Sequence, residues 1–570
     1  MEYLKRGMIR EQMRKFLLWL LVIALVAPVP AASYAQSAQA SSVASAIVPT
    51  SARESAEKIT AAQLRDYLYF VAADEMEGRD TPSRGLNTVA KFIAVNLSRW
   101  GLKPAGDDGT FFQKIMLRRG RLDPAGTKAE INGRKFTFGE DFFASLNPGT
   151  ASGQLVYVGH GWVIKNKNID AYRGVNIKDK IVVFYGGGLP KGASLSDLSG
   201  SQGGDWDTPA EYAWKHGAKG AIIIPDSRVT NNLAARRQVT LERSGQYSLS
   251  KPEQAAPTEM PMITASPAMI KALFQGEKID GAEILARREA GISGDSFELS
   301  PNKRASFTVA NAYDETQTQN VVAILEGSDP VLKNEYVAVG AHYDHVGMRA
   351  GSAPGDKIYN GADDDGSGTV SVMAMAEALS HSPVRPKRSV LFIWHTGEEK
   401  GLWGSQYFTE HPTVPLASII TQLNIDMIGR SKREGDINPA NRSLTGPNEI
   451  YVIGSKMMST ELGQLSEAVN KSYLNLSFNY LYDDPKDPNR FFFRSDHFNY
   501  ARKGIPIIFY FDGEHEDYHK TGDSPDKIDY EKMQRVARTI YVMLLELANA
   551  NTRPRVDKPL SPAVANDGGF

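Results

Sequence analysis

Three aspartates stand side by side in NGADDDGSG, residues 360–368, and more His and carboxylate residues recur where apolar runs end. VAVGA runs into His342-Tyr343-Asp344, VLFIW into His395-Thr396-Gly397-Glu398-Glu399, and LNI into Asp426. PIIFYF is closely followed by Glu514-His515-Glu516-Asp517-Tyr518-His519. Imidazole and carboxylate donors without thiolate suit Zn2+, with Mn2+ or Co2+ as substitutes on the same donors. A carboxylate has two oxygens and can bridge ions roughly 3.5–4 Å apart, the spacing of hydrolytic two-metal sites. One of the three aspartates is therefore a candidate bridge, against the plainer reading of a solvated acidic turn.

Such residues need a scaffold that brings strand ends together. From Asn320 onward β-branched and aromatic runs (VVAILEG, YVAVGAH, SVLFIWH, LNIDMIG, EIYVIG, PIIFYFD) alternate with helical segments near 367–379, 461–473 and 530–548. That order predicts an α/β fold, a doubly wound, mostly parallel sheet with helices on both faces. Ligands bind such sheets beyond the carboxyl ends of the strands, where the charged residues lie. Upstream, residues 64–101 carry the apolar spacing of two amphipathic helices. Between 150 and 305 the texture changes to short runs, LVYVG, KIVVFY and AIIIP, with glycine-rich breaks and one helical stretch, EYAWKHGAKG.

At 570 residues the chain exceeds the roughly 250–300 residues at which one core stops growing, so more than one domain is expected. Lys+Arg of 65 against Asp+Glu of 66 leaves a net charge of -1, which excludes a global basic field for nucleic acid. With no cysteine there is neither a disulfide framework, a thiol nucleophile nor a lipid-modified cysteine. Residues 1–35 read as a secretory signal peptide: Lys5, Arg6, Arg10, Arg14 and Lys15, an apolar run, then Ser33-Tyr34-Ala35. An exported bacterial protein, periplasmic or secreted and without a stable membrane anchor after cleavage, is the expectation. A Ser/Ala-rich flexible leader at 36–58 and a flexible tail at 550–570 complete this division, with order beginning near Ile59.

GAHYDHVG (340–347), NGADDDGSG (360–368), HTGEEKGLWGS (395–405), NIDMIG (424–429) and DYHKTGD (517–523) together resemble the motif set of the co-catalytic dinuclear zinc aminopeptidases. The 150–305 segment resembles the protease-associated domain that relatives carry as an insert. The resemblance implies a peptidase domain in two parts, 59–149 and 306–549. It also implies two Zn2+, with Asp364 as the bridge, His342 and Asp426 on one ion, and Glu399 and His519 on the other. It makes Glu398 the general base that takes a proton from metal-activated water, and Tyr518 an oxyanion donor. The substrate would be a peptide with a free N-terminus, its amine met by Glu398 and Asp426.

Asp363 and Asp365 are expected to cap the following helix or bind the loop, since successive residues cannot all aim at one point. Gly361 and Gly366 would let the backbone turn tightly beside the metals. Asp344 is expected to fix the His342 imidazole, and Asp523 to do the same near His519. His345, His395, His497 and His515 read as packed or hydrogen-bonded histidines, with His497 in RSDHF near the substrate pocket. Two other enzymes fit the scaffold: a carboxypeptidase, for which Arg494 is the one nearby arginine to bind a carboxylate, and a glutaminyl cyclase, which uses one zinc. A non-catalytic binding protein of the same fold is disfavoured because every matched ligand position is filled.

Overall fold

In a computed structural model, which describes residues 48–198, 202–232, 244–250, 260–292, 294–349 and 355–566, the apolar runs form the centre of a mixed ten-stranded sheet. Strands Ser389–His395, Tyr336–His342, Ile419–Ile425 and Ile507–Phe511 lie next to one another and parallel. They are buried almost throughout, as continuous β-branched and aromatic runs covered on both faces must be.

The flanks differ from the expected mostly parallel arrangement. Asn311–Leu325 adds antiparallel to Ser389–His395, Phe112–Leu122 antiparallel to Asn311–Leu325, and Glu449–Ile453 antiparallel to Ile507–Phe511. The sheet is therefore mixed, with a parallel core. Asn311–Leu325 is longer than the VVAILEG run because its first half, NAYDETQTQ, is polar and pairs as a ribbon with Phe112–Leu122, outside the buried layer.

Helices cover both faces. Gly368–Ser380 lies against the sheet with nearly every residue buried, and Ala61–Val71 and Tyr530–Asn549 pack outside it. Trp403–Glu410 and His497–Ala501 take the opposite face. The helices read upstream are Ala61–Val71 and Arg84–Arg99. The second starts on Ser83, whose side chain accepts from Leu86 N, and buries Leu86, Val89, Ala90, Ile93 and Leu97 on one stripe.

The inserted segment is wider than 150–305. Leu122 faces Asn311 in the register of the two long strands, so the chain leaves the first sheet there and returns directly opposite. The intervening residues build a second, nine-stranded sheet. Its strands Lys128–Ile131, Arg134–Phe136 and Phe142–Ala144 precede residue 150; the first two are short and mostly polar, and gave no apolar run to read. LVYVG, KIVVFY and AIIIP are its parallel centre, in Gly149–Tyr157, Ile181–Tyr185 and Gly220–Ile224. One strand of this segment, Ser244–Leu249, returns to pair with Phe112–Leu122 at the edge of the first sheet.

Both expected flexible ends need correction where they are described. Residues 1–47, where the signal peptide and most of the leader are expected, lie outside the described residues. Thr50–Ala56 is a helix with Ala52, Ser55 and Ala56 buried, and the Ser55 hydroxyl lies 2.5 Å from that of Tyr541. At the other end Arg553 bonds Glu335 at 2.8 Å and the Ala417 carbonyl at 2.9 Å, while Val556, Leu560 and Val564 pack on the main core. Few apolar residues mark either segment, and the contacts that hold them come from distant parts of the chain. Among the described residues no helix is long and apolar enough to cross a membrane.

Candidate metal centre

The parallel strands end on one edge of the sheet and deliver their C-terminal residues to a common place. His342 is the last residue of its strand, Asp426 follows Ile425, and the loop after Phe511 brings Tyr518 and His519. Ser389–His395 is followed at once by Glu398 and Glu399. The turn 360–367 enters from the helix side. There Gly361 has φ 58°, and a Cβ on it would stand 2.4 Å from the Asp364 carbonyl and 2.5 Å from the His345 ring, so only glycine fits. At Gly366 the constraint is close approach to Leu68 and to the Gly361 carbonyl.

Asp364 is the centre of the cluster. One of its oxygens lies 3.3 Å from His342 Nε2 and the other 3.1 Å from His519 Nε2. On the first side His342 Nε2 is also 3.5 Å from Asp426 and 3.9 Å from Glu398. On the second, His519 Nε2 is 3.1 Å from Glu399. The structure thus brings together His342, Asp364, Asp426, Glu399, His519 and Glu398. Two groups have the compactness of a cation site: His342, Glu398 and Asp426, and His345, Asp364 and Glu399.

His345 departs from its sequence reading. It is fully buried, with Nδ1 2.8 Å from Glu399 Oε1 and 3.8 Å from Asp364 Oδ2. The 2.8 Å contact lacks hydrogen-bond alignment, for both ring nitrogens and Glu399 Oε1 have no hydrogen-bond partner. Donor atoms that face one another without bonding, buried and close, are what a shared cation would satisfy. HYDH spacing gave no sign of this, because residues 343–347 form a loop whose side-chain directions follow no period.

The remaining acidic residues divide the supporting work. Asp365 accepts from Gly368 N at 2.8 Å, capping the helix as expected, and also from Met427 N and His342 N, each at 3.2 Å. Asp363 instead accepts from Gly429 N at 2.7 Å and faces His515 Nε2 at 3.3 Å. Asp344 is near the His342 ring at 3.7 Å, but its hydrogen bond is from Glu398 N at 3.1 Å, and its carbonyl, 3.2 Å away, faces His342 Nδ1. Asp523 binds the backbone N–H groups of Asp363 and Asp364 rather than His519. His497 and His395 are buried with other partners: His497 Nε2 is 2.8 Å from the Phe492 carbonyl, and His395, opposite His342 in the strand register, stacks on Tyr500.

Electrostatics follow from this crowding. Burial works against protonating His342, yet the carboxylates of Glu398, Asp426, Asp344 and Asp364 lift it well above its ordinary range. His519 is likewise opposed by burial and raised to about 10 by Asp364 and Glu399. Asp364 is held well below the carboxylate range by these imidazoles although burial pushes it up. Glu398 is pushed well up, by burial first and then by Glu399 and Asp426, against the pull of His342. The excess negative charge that draws protons onto the imidazoles is what a divalent cation would neutralise, so the donor set fits zinc.

A cleft opens beside Asp364, Glu398 and Asp426, walled by Met427, Phe491, Phe509 and Phe511 and by Arg494, Glu514 and Tyr518. The Arg494 guanidinium bonds Glu514 at 2.8 Å and donates to the Tyr518 hydroxyl at 3.2 Å. Tyr518 stacks on His519 with ring centres 4.0 Å apart, which places its hydroxyl on the wall of the cleft.

Comparison with known proteins finds similarity in this part of the chain. Residues 320–544 match the family model described as Peptidase family M28. Leucine aminopeptidase 2 of Arthroderma otae is 27% identical over 291 residues, which cover 46% of this chain and 52% of that protein. The chain spans about half the length of the curated relatives it matches. Among solved structures, an aminopeptidase from Aneurinibacillus sp. strain AM-1 is similar at a TM-score of 0.45 and 16% identity, covering 90% of this chain and 98% of that one. A zinc aminopeptidase from Bacillus subtilis is similar at a TM-score of 0.43 and 18% identity, covering 88% and 98%.

Proposed function

We propose, from the match of residues 320–544 to the model of Peptidase family M28, that the protein is an exported zinc aminopeptidase removing N-terminal residues from peptides. The observation that carries the reading is the meeting of His342 and His519 at the two oxygens of Asp364, beside buried atoms of Asp364, Glu399 and His345 that have no hydrogen-bond partner. His342, Asp364 and Asp426 would hold one zinc, and Asp364, Glu399 and His519 the other, with His345 beside the second group. Mn2+ or Co2+ would fit the same donors.

When bound, zinc supplies Lewis acidity that polarises the scissile carbonyl and acidifies water. Glu398, raised in basicity and placed between the donors and the cleft, takes the proton of the attacking water and returns it to the leaving amine. Tyr518 donates its hydroxyl to the developing oxyanion. Glu398 and Asp426 line the cleft, which suits the ammonium of a free N-terminus. The carboxypeptidase alternative asks Arg494 for a free cation, but Arg494 is already paired with Glu514. The inserted sheet is read as a protease-associated domain that limits access to short peptides.

The test is hydrolysis of a panel of aminoacyl-p-nitroanilides, with N-acetylated controls, before and after chelation and return of zinc. Cleavage of only the free-amine substrates, lost with chelator and restored by zinc, is the expected result. Cleavage of the acetylated substrates, or activity indifferent to chelation, would overturn the proposal.

A further inference from the structure

Arg79 is fully buried, 0% exposed. Its guanidinium makes its hydrogen bonds to backbone carbonyls. Nε donates to Tyr343 at 2.9 Å, Nη1 to Val71 at 3.1 Å and to Asn360 at 2.6 Å, and Nη2 to Gly361 at 2.8 Å. Those acceptors are not random. Tyr343 stands between His342 and Asp344, Asn360 and Gly361 open the turn that carries Asp364, and Val71 ends a helix packed on that turn.

The backbone around Arg79 adds to the same joint. His345 N donates to the Arg79 carbonyl at 3.1 Å, and Gly347 N to that of Gly78 at 3.0 Å. Gly78 has φ 66°, and a Cβ there would lie 2.2 Å from the Gly347 carbonyl and 2.6 Å from that of Tyr359. The segment is therefore pressed onto both donor-bearing loops. A planar fork with several N–H groups is the side chain that can span two loops at once.

We propose that Arg79 is a positioning residue of the metal centre, setting the loop of His342 and His345 at a fixed distance from the turn of Asp364. The inference rests on the zinc reading above. Two effects of the guanidinium oppose each other. Its charge, close behind acidic donors, repels a cation, whereas its bonds hold the donors in place. Charge-assisted bonds to buried carbonyls are strong, and residues that orient metal ligands typically change metal affinity 10- to 100-fold when replaced. Positioning is therefore taken to outweigh repulsion.

The experiment measures zinc dissociation constants of the full chain by chelator competition for wild type, Arg79→Met and Arg79→Lys, with thermal unfolding of the metal-free forms. Arg388→Lys is the control. Arg388 is 1% exposed and bonded to Glu335 and to carbonyls of residues 547 and 550, away from the donors. Both Arg79 variants should bind zinc at least tenfold more weakly. An ammonium keeps the charge but loses the fork, and should not restore affinity. The Arg388 variant should unfold at lower temperature yet keep its zinc affinity within about threefold.

Unchanged affinity in Arg79→Lys, or tighter binding in Arg79→Met, would overturn the proposal. So would equal weakening in the control. Should Arg79→Met fail to fold, the lysine variant carries the test alone. A wild type that binds no zinc would instead refute the metal-site reading itself, a result separate from any difference among variants.

Discussion

Replacing Glu398 by Gln tests the chemistry most directly, because it removes a base while keeping shape. The residue is 6% exposed, and its place is fixed from the backbone, through Glu398 N donating to Asp344 at 3.1 Å. The amide leaves that bond untouched. Glu398 stands 3.9 Å from His342 Nε2, beyond Asp364 at 3.3 Å and Asp426 at 3.5 Å, so its carboxylate is the farthest of the three that approach that nitrogen. A positioned general base contributes roughly 10²- to 10⁴-fold, or about 3 to 5 kcal/mol of barrier at 1.36 kcal/mol per tenfold. The expected result is a kcat lowered by about that factor with KM little changed, measured on a cleaved aminoacyl-p-nitroanilide, and two zinc ions still bound by elemental analysis. A variant that keeps more than a tenth of kcat would refute the base assignment. One that loses a zinc equivalent would make Glu398 a ligand, as its grouping with His342 and Asp426 would also allow.

Asp364→Asn should lower bound zinc from two ions to one or none, since its two oxygens face different imidazoles; elemental analysis with both ions retained would count against a bridge. Asp365→Ala leaves the N–H groups of Gly368, Met427 and His342 unpartnered in a buried site, and at about 1–3 kcal/mol for each such group it should cost at least about 3 kcal/mol in denaturant unfolding. Asp483 is raised to about 6, chiefly by burial, although Gly454 N donates to it. Its folded state thus favours the neutral acid, and wild type loses stability as pH rises from about 4 to about 6, by up to about 3 kcal/mol at 1.36 kcal/mol per unit. Asp483→Asn should therefore be the more stable form at pH 8 and equal to wild type below pH 4, and a pH-independent difference in urea unfolding would refute this.

What could be read in the sequence was what short-range pattern encodes. Apolar runs marked the parallel strands because those strands are buried on both faces, and their ends marked the donors His342, Asp426 and Glu399. The helix expected at 367–379 runs Gly368–Ser380. Structure held together by distant polar contacts left no such mark. Phe112–Leu122 and the first half of Asn311–Leu325 pair as a half-exposed ribbon with mixed side chains. Arg79 sits in EMEGRD, an ordinary polar turn until its partners, some 280 residues onward at Asn360 and Gly361, are in place. His345 and Asp523 had the right residue types and gave no direction, since neither lies in a strand or helix whose period would point its side chain.

The three aspartates show why so acidic a core can fold and still hold a site. A buried carboxylate is costly unless donors replace its water. Asp365 receives three backbone N–H groups, Asp363 receives Gly429 N, and Asp523 those of Asp363 and Asp364. These fixed dipoles satisfy both oxygens of Asp365 and of Asp523, whereas Asp363 Oδ2 has no hydrogen-bond donor and faces His515. Asp364 and Glu399 are served differently: each retains an oxygen with no hydrogen-bond donor, Asp364 Oδ2 and Glu399 Oε1, and both face histidines. The fold thus spends its backbone N–H groups on the carboxylates that shape the loops and withholds them from those at the centre. At Asp364 and Glu399 the unmet oxygens stand together beside His345 and His519, which is the property a cation site requires and a solvated acidic turn lacks.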